Sequence, residues 1–119
     1  MGIKSYEDLE VYQESYQLVL EVYQVTKDFP KEERYELISQ LKRAALSVVL
    51  NIAEGYGRGR TAEFKQFLRN SLGSANETIV LLKLAQDLGY GQTEGLVERY
   101  DTLGKRIYCL QETWEKRRS

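Results

Sequence analysis

The chain has 119 residues, with 17 basic and 18 acidic side chains, one Pro, one Cys and no His, for a net charge of −1. Domains most often run about 100–150 residues, so residues 1–119 are read as a single domain, and 42% apolar residues supply a core of modest size. Without His there is no Ser-His or Cys-His nucleophile pair, no His-ligated zinc or haem, and no ferritin-type Glu-x-x-His site. A lone Cys109 cannot close an intrachain disulfide, which fits a reducing compartment, and a cytoplasmic location is expected. A charge this close to zero argues against a uniformly basic polyanion binder. Apolar runs last only a few residues, so no membrane span is expected, and Met1–Asp8 hold no apolar stretch of the signal-peptide kind.

Breaks fall at Asp28-Phe29-Pro30-Lys31, at Gly55-Tyr56-Gly57-Arg58-Gly59-Arg60 and at Gly89-Tyr90-Gly91-Gln92. They leave four segments, each too long for a strand and suited to a helix. Segment one opens on Ser5 as N-cap, with Glu7 and Asp8 at the positive end of the helix dipole. Its apolar residues form two seams, Leu9, Tyr12, Tyr16, Val19, Tyr23 and Val11, Leu18, Val22, Val25. Residues two apart on a helix lie roughly 200° apart, so this helix is apolar on two faces. One face enters a core and the other needs a further partner.

Segment two begins near Glu32 and Glu33 and carries the seam Leu37, Leu41, Ala44, Val48, Ile52. Small residues Ala45, Ser47 and Ala53 allow a close neighbour, and Gly55 or Gly57 is expected to end the helix in a left-handed cap. Segment three has Thr61 as N-cap, with an inner face of Phe64, Phe67, Ser71, Ala75, Thr78, Leu82 and Ala85. Ile79, Val80, Leu81 and Leu84 widen that face, and Gly89 ends the helix. Segment four starts at Thr93 and has the cleanest seam, Leu96, Tyr100, Leu103, Ile107, Leu110, Trp114; the tail Lys116-Arg117-Arg118 puts cations at its negative end. Long helices with short connections and no period-two alternation predict an all-α fold, an antiparallel up-down-up-down four-helix bundle.

Gly55-x-Gly57-x-Gly59 followed by Arg60 invites a phosphate-loop reading, but it has neither glycine fingerprint and follows a helix rather than a strand. A turn with a helix cap is the preferred reading. Asn51 with Glu54, and Ser74 with Glu77, sit one turn apart on segments two and three. A Glu54/Glu77 cleft could hold Mg²⁺ or Mn²⁺ or run acid–base chemistry. A structural role is preferred, with these groups capping turns or pairing with Arg43 and Arg69 to set register and assembly. Tyr12, Tyr16 and Tyr23 are read as packing residues rather than base-stacking ones, and Cys109 as a small buried hydrophobe.

The charge is uneven: residues 1–55 carry 6 basic and 10 acidic groups, net −4, and residues 56–119 carry 11 and 8, net +3. Arg58, Arg60, Lys65 and Arg69 form the candidate nucleic-acid-binding patch within that positive half, which also holds Lys105 and Arg106.

The order of Tyr6-Glu7-Asp8-Leu9-Glu10-Val11-Tyr12-Gln13, Phe29-Pro30 with Glu33 and Leu37, Gln40-Leu41-Lys42-Arg43-Ala44-Ala45-Leu46-Ser47-Val48 and Asn51-Ile52-Ala53-Glu54-Gly55 is specific. Phe64–Leu68, Gly73-Ser74 with Glu77, and Leu88-Gly89-Tyr90 complete it. From about residue 5 to residue 115 the chain resembles the bacterial four-helix-bundle family that includes the 23S rRNA intervening-sequence proteins and the accessory variability proteins of diversity-generating retroelements. The resemblance implies a bundle that commonly assembles into a ring-like homopentamer. For the retroelement members it implies a basic barrel that binds nucleic acid and a reverse transcriptase.

The expected protein is therefore a non-enzymatic homo-oligomer without a cofactor, with segments one and four supplying much of the interface and Val11, Leu18, Val22 and Val25 its apolar part. RNA or DNA binding through Arg58, Arg60, Lys65 and Arg69, with a reverse transcriptase as partner, is the alternative. Near-zero net charge keeps it second.

Overall fold

A computed structural model describes residues 2–118, with side chains through Trp114. A 3-10 turn (Tyr6–Asp8) leads into α1 (Glu10–Thr26), and a second 3-10 turn (Lys31–Glu33) precedes α2 (Leu37–Gly57). Helices α3 (Thr61–Asp87) and α4 (Glu94–Arg118) follow, and there is no strand among the described residues. Each helix packs on its sequence neighbour, and α1 closes the square against α4. The fold is the expected four-helix bundle.

Pairs across the helix interfaces run in opposite numerical order, which fixes the antiparallel arrangement. Ser71 Oγ donates to the Val48 carbonyl at 2.7 Å and Ser74 Oγ to Ser47 Oγ at 2.8 Å, joining α3 to α2. Arg106 pairs with Glu14 and Arg99 with Glu21, joining α4 to α1 seven residues apart on each helix.

Helix termini depart from expectation in informative ways. Ser5 does cap, accepting from the Glu7 amide while Asp8 accepts from the Ser5 amide, but the box heads the 3-10 turn. Extended Leu9 then turns its side chain into the core, and α1 starts after it. Glu32 and Glu33 likewise head a 3-10 turn, where Glu33 accepts from the Tyr90 hydroxyl at 2.6 Å. Thr61 opens α3 itself, with Arg60 preceding it and no side-chain cap. Thr93, which precedes α4, ties it to α3: its hydroxyl donates to the Leu82 carbonyl and its amide to Gln86 Oε1.

Neither Gly55 nor Gly57 is left-handed; α2 runs through both, and Gly59 (φ 78°) makes the turn. Gly55 is needed for space, because a Cβ built there would overlap the Phe67 Cβ of α3. Gly89 (φ 78°) ends α3 as expected: its amide reaches the Gln86 carbonyl and the Tyr90 amide the Ala85 carbonyl, the paired bonds of a Schellman cap.

The seams of α2 and α4 are buried as expected, from Leu37 to Ile52 and from Leu96 to Trp114. On α3, Leu68 is buried and Phe67 is half-buried. Leu81 turns inward, whereas Val80 and Leu84 face solvent. At one end of the bundle, Phe64 and Trp114 stack edge to face with centroids 4.7 Å apart, and Tyr56 packs on both. The basic tail Lys116-Arg117-Arg118 lies outside the residues whose side chains are described.

Candidate functional site

The two seams of α1 divide by chemistry. Val11, Leu18 and Val22 are buried within the protomer and Val25 packs beside them, so they are not the outward apolar face expected from the sequence. Aliphatic side chains lose nothing by full burial, whereas burying a phenol hydroxyl without a partner costs free energy. The tyrosine seam accordingly lies at the edge: Tyr12 is half-buried, Tyr16 is 51% exposed and Tyr23 38% exposed. Burial, then the neighbouring Tyr6 and Glu7, raises the Tyr12 pKa and holds the phenol protonated.

This edge forms a groove with α2. Tyr12, Tyr16 and Leu20 line it from α1, and Leu46, Val49 and Leu50 from α2, around a volume of about 300 Å³. Leu20 and Leu50 are 51% and 60% exposed. Tyr6, Tyr12 and Tyr16 form an aromatic ladder along one wall, and Lys42 Nζ sits 4.5 Å over the Tyr23 ring. The outward face of α1 thus pairs with α2; toward α4, α1 presents Glu14 and Glu21, both held in ion pairs.

A second exposed apolar feature lies on α3. Val80, Leu84 and Leu88, spaced one turn apart, are all largely solvent-facing. Among the described residues, Tyr35 and Tyr108 are the remaining exposed large hydrophobics. Leu20, Leu46 and Leu50 lie outside the seams drawn from periodicity. The four-residue spacing of Val80, Leu84 and Leu88 was the available signal, but the adjoining Ile79 and Leu81 hid it.

The basic candidates occupy the α2–α3 turn and the first turns of α3, and acids stand among them. Arg58 pairs with Glu54 at 2.7 Å, lies 3.9 Å from Glu63 and stacks over Phe67; Arg60 lies 3.8 Å from Glu63. Arg69 donates to Gln66 at 2.7 Å. Lys65, half-buried on the first turns of α3, also has an interaction partner. Much of this charge is locally compensated.

The polar candidates separate into two sets. Asn51 donates to the Ser47 carbonyl and hydroxyl, and Ser47 is bonded to Ser74, so these side chains knit α2 to α3. Glu54 belongs to the Arg58 pair, Arg43 donates to Ser39, and Glu77 is exposed. The α2–α3 register places Glu77 level with residue 43 or 44, roughly 15 Å along the axis from Glu54. Those carboxylates do not converge. No group of three or more metal-ligating side chains occurs among the described residues.

Cys109 is exposed, correcting the buried reading, and lines a cleft of about 640 Å³ between the start of α1 and α4. Lys105 and Arg106 in that cleft are paired with Asp101 and Glu14. No helix is long and apolar enough to cross a membrane among the described residues. No curated protein matches the chain. The model of the 23S rRNA-intervening sequence protein family matches residues 7–116, nearly the whole four-helix bundle, and the chain belongs to that family.

Proposed function

We propose that the protein is a non-enzymatic, homo-oligomeric interaction protein, and, by its family resemblance, a pentamer. The observation that carries this reading is the α1–α2 groove, where Tyr16, Leu20 and Leu50 leave apolar surface in water. Such rimmed apolar surfaces mark interaction sites. The apolar walls with a polar phenol edge match the composition of protein interfaces, where Tyr is enriched. The nucleic-acid reading has less support, because Glu54 and Glu63 stand against Arg58 and Arg60.

Sedimentation equilibrium tests the proposal. The expected mass is several times 13.8 kDa, and a monomer at about 100 μM overturns it. Salt-sensitive retention of structured RNA that is lost in an Arg58→Ala/Arg60→Ala variant would favour the nucleic-acid reading instead.

A further inference from the structure

We propose that the α1–α2 groove of one copy receives the α3 ridge Val80/Leu84/Leu88 of another, so that the protein self-associates head to tail through two different faces. This rests on the homo-oligomer reading and specifies its geometry.

Two apolar features are left uncovered by the protomer, and their shapes are complementary. The groove is concave, with Tyr16 and Leu20 on one wall and Leu46 and Leu50 on the other. The ridge is convex, with branched Val80 and Leu84 on successive turns of α3 and Leu88 at its C-cap. Side chains at four-residue spacing are what a groove between two helices accepts.

Their placement excludes contact within one copy. Helix α3 packs on α2 and α4 and stands diagonally across the bundle from α1. The ridge lies on the side of α3 opposite the buried Phe64, Ala75 and Leu82 and points away from the groove. Charge at the rims agrees with the pairing. Lys42, one turn before groove-lining Leu46 on α2, stands over Tyr23, and exposed Glu77 precedes Val80 by one turn on α3. Lys83, the neighbour of Leu84 in sequence, turns to the α4 side, where it lines a cleft with Glu94 and Glu98.

A contact between two different faces is heterologous, so each copy retains one free groove and one free ridge until the chain of contacts closes. The faces are also offset along the bundle. The Ser47–Ser74 and Val48–Ser71 contacts place the ridge level with the start of α2, roughly 17 Å from the middle of the groove at about 1.5 Å per residue. A closed ring therefore requires protomers tilted against the ring axis, and parallel ones would climb into a filament.

The experiment uses the full chain and two surface variants, Leu50→Glu in the groove and Leu84→Glu on the ridge, with helicity checked by circular dichroism. Each variant alone is expected to sediment as a monomer. An equimolar mixture is expected to form a one-to-one dimer, because each variant keeps the face the other has lost. A ridge variant with wild-type mass overturns the inference and leaves the homo-oligomer reading standing. Two monomeric variants that fail to pair on mixing also overturn it, since both lesions would then strike one self-complementary patch. A monomeric wild-type chain overturns both readings. Leu50→Gln and Leu84→Gln repeat the test if a glutamate variant loses helicity.

Discussion

Arg99 of α4 places Nη1 2.6 Å from both carboxylate oxygens of Glu21 on α1, and one heptad along each helix Arg106 Nη1 pairs with Oε1 of Glu14. These two rungs set the register of the first helix against the last. Half of each arginine side chain is still in water, which limits their energetic weight. Arg99→Gln is expected to lower unfolding free energy by less than about 1 kcal/mol, with the difference shrinking in high salt. Urea titrations at low and high ionic strength measure both effects.

The α2–α3 contact depends on one missing side chain. Gly55→Ala improves helix propensity yet drives a methyl group into Phe67, and a net destabilisation of about 1–3 kcal/mol is expected from overpacking. Gly73 lies within α3 with open space around its Cα. Gly73→Ala should therefore stabilise the protein by about 0.5–1 kcal/mol. Thermal unfolding of the two variants separates helix propensity from packing.

Tyr100 is fully buried, and its hydroxyl has no hydrogen-bond partner among the described residues. Burial raises its pKa well above the ordinary value of 10.0. The folded state then keeps a proton that the unfolded chain releases, so ionisation of this group does not affect stability below pH 10 and lowers it as pH rises beyond that value. Tyr100→Phe removes the orphaned hydroxyl. It is expected to raise stability by about 1 kcal/mol at neutral pH and to flatten the decline above pH 10. Denaturant midpoints of both proteins from pH 7 to about pH 11 give the comparison.

Val22 and Leu50 are both apolar, one fully buried and the other 60% exposed. Val22→Glu buries an unpaired carboxylate and is expected to unfold the chain, whereas Leu50→Glu should retain full helicity and change only the sedimented mass. Circular dichroism beside sedimentation distinguishes the two outcomes; a folded Val22→Glu protein would contradict the assignment of that seam to the core.

Exposure of Cys109 predicts fast modification by an aromatic disulfide reagent without denaturant. A thiol that reacts only after unfolding would contradict its position on the outer side of α4.

Sequence alone determined the number, order and direction of the helices. The three breaks, the single proline and the unbroken seams of α2 and α4 leave no other way to bury Leu41, Ile52, Leu103 and Ile107. The family was legible too, because its motifs run in order along the chain. The face each helix turns outward was decided by tertiary structure. Periodicity on α1 gives two apolar seams about equally well, and only the packing of neighbouring helices selects Val11, Leu18 and Val22 for the interior. The same selection sends Tyr16 and Leu20 into the groove and leaves Val80, Leu84 and Leu88 in water. Helical spacing states which residues share a side; it carries no information on which side another helix covers. The candidate site consists of the apolar sides that no helix of this chain covers.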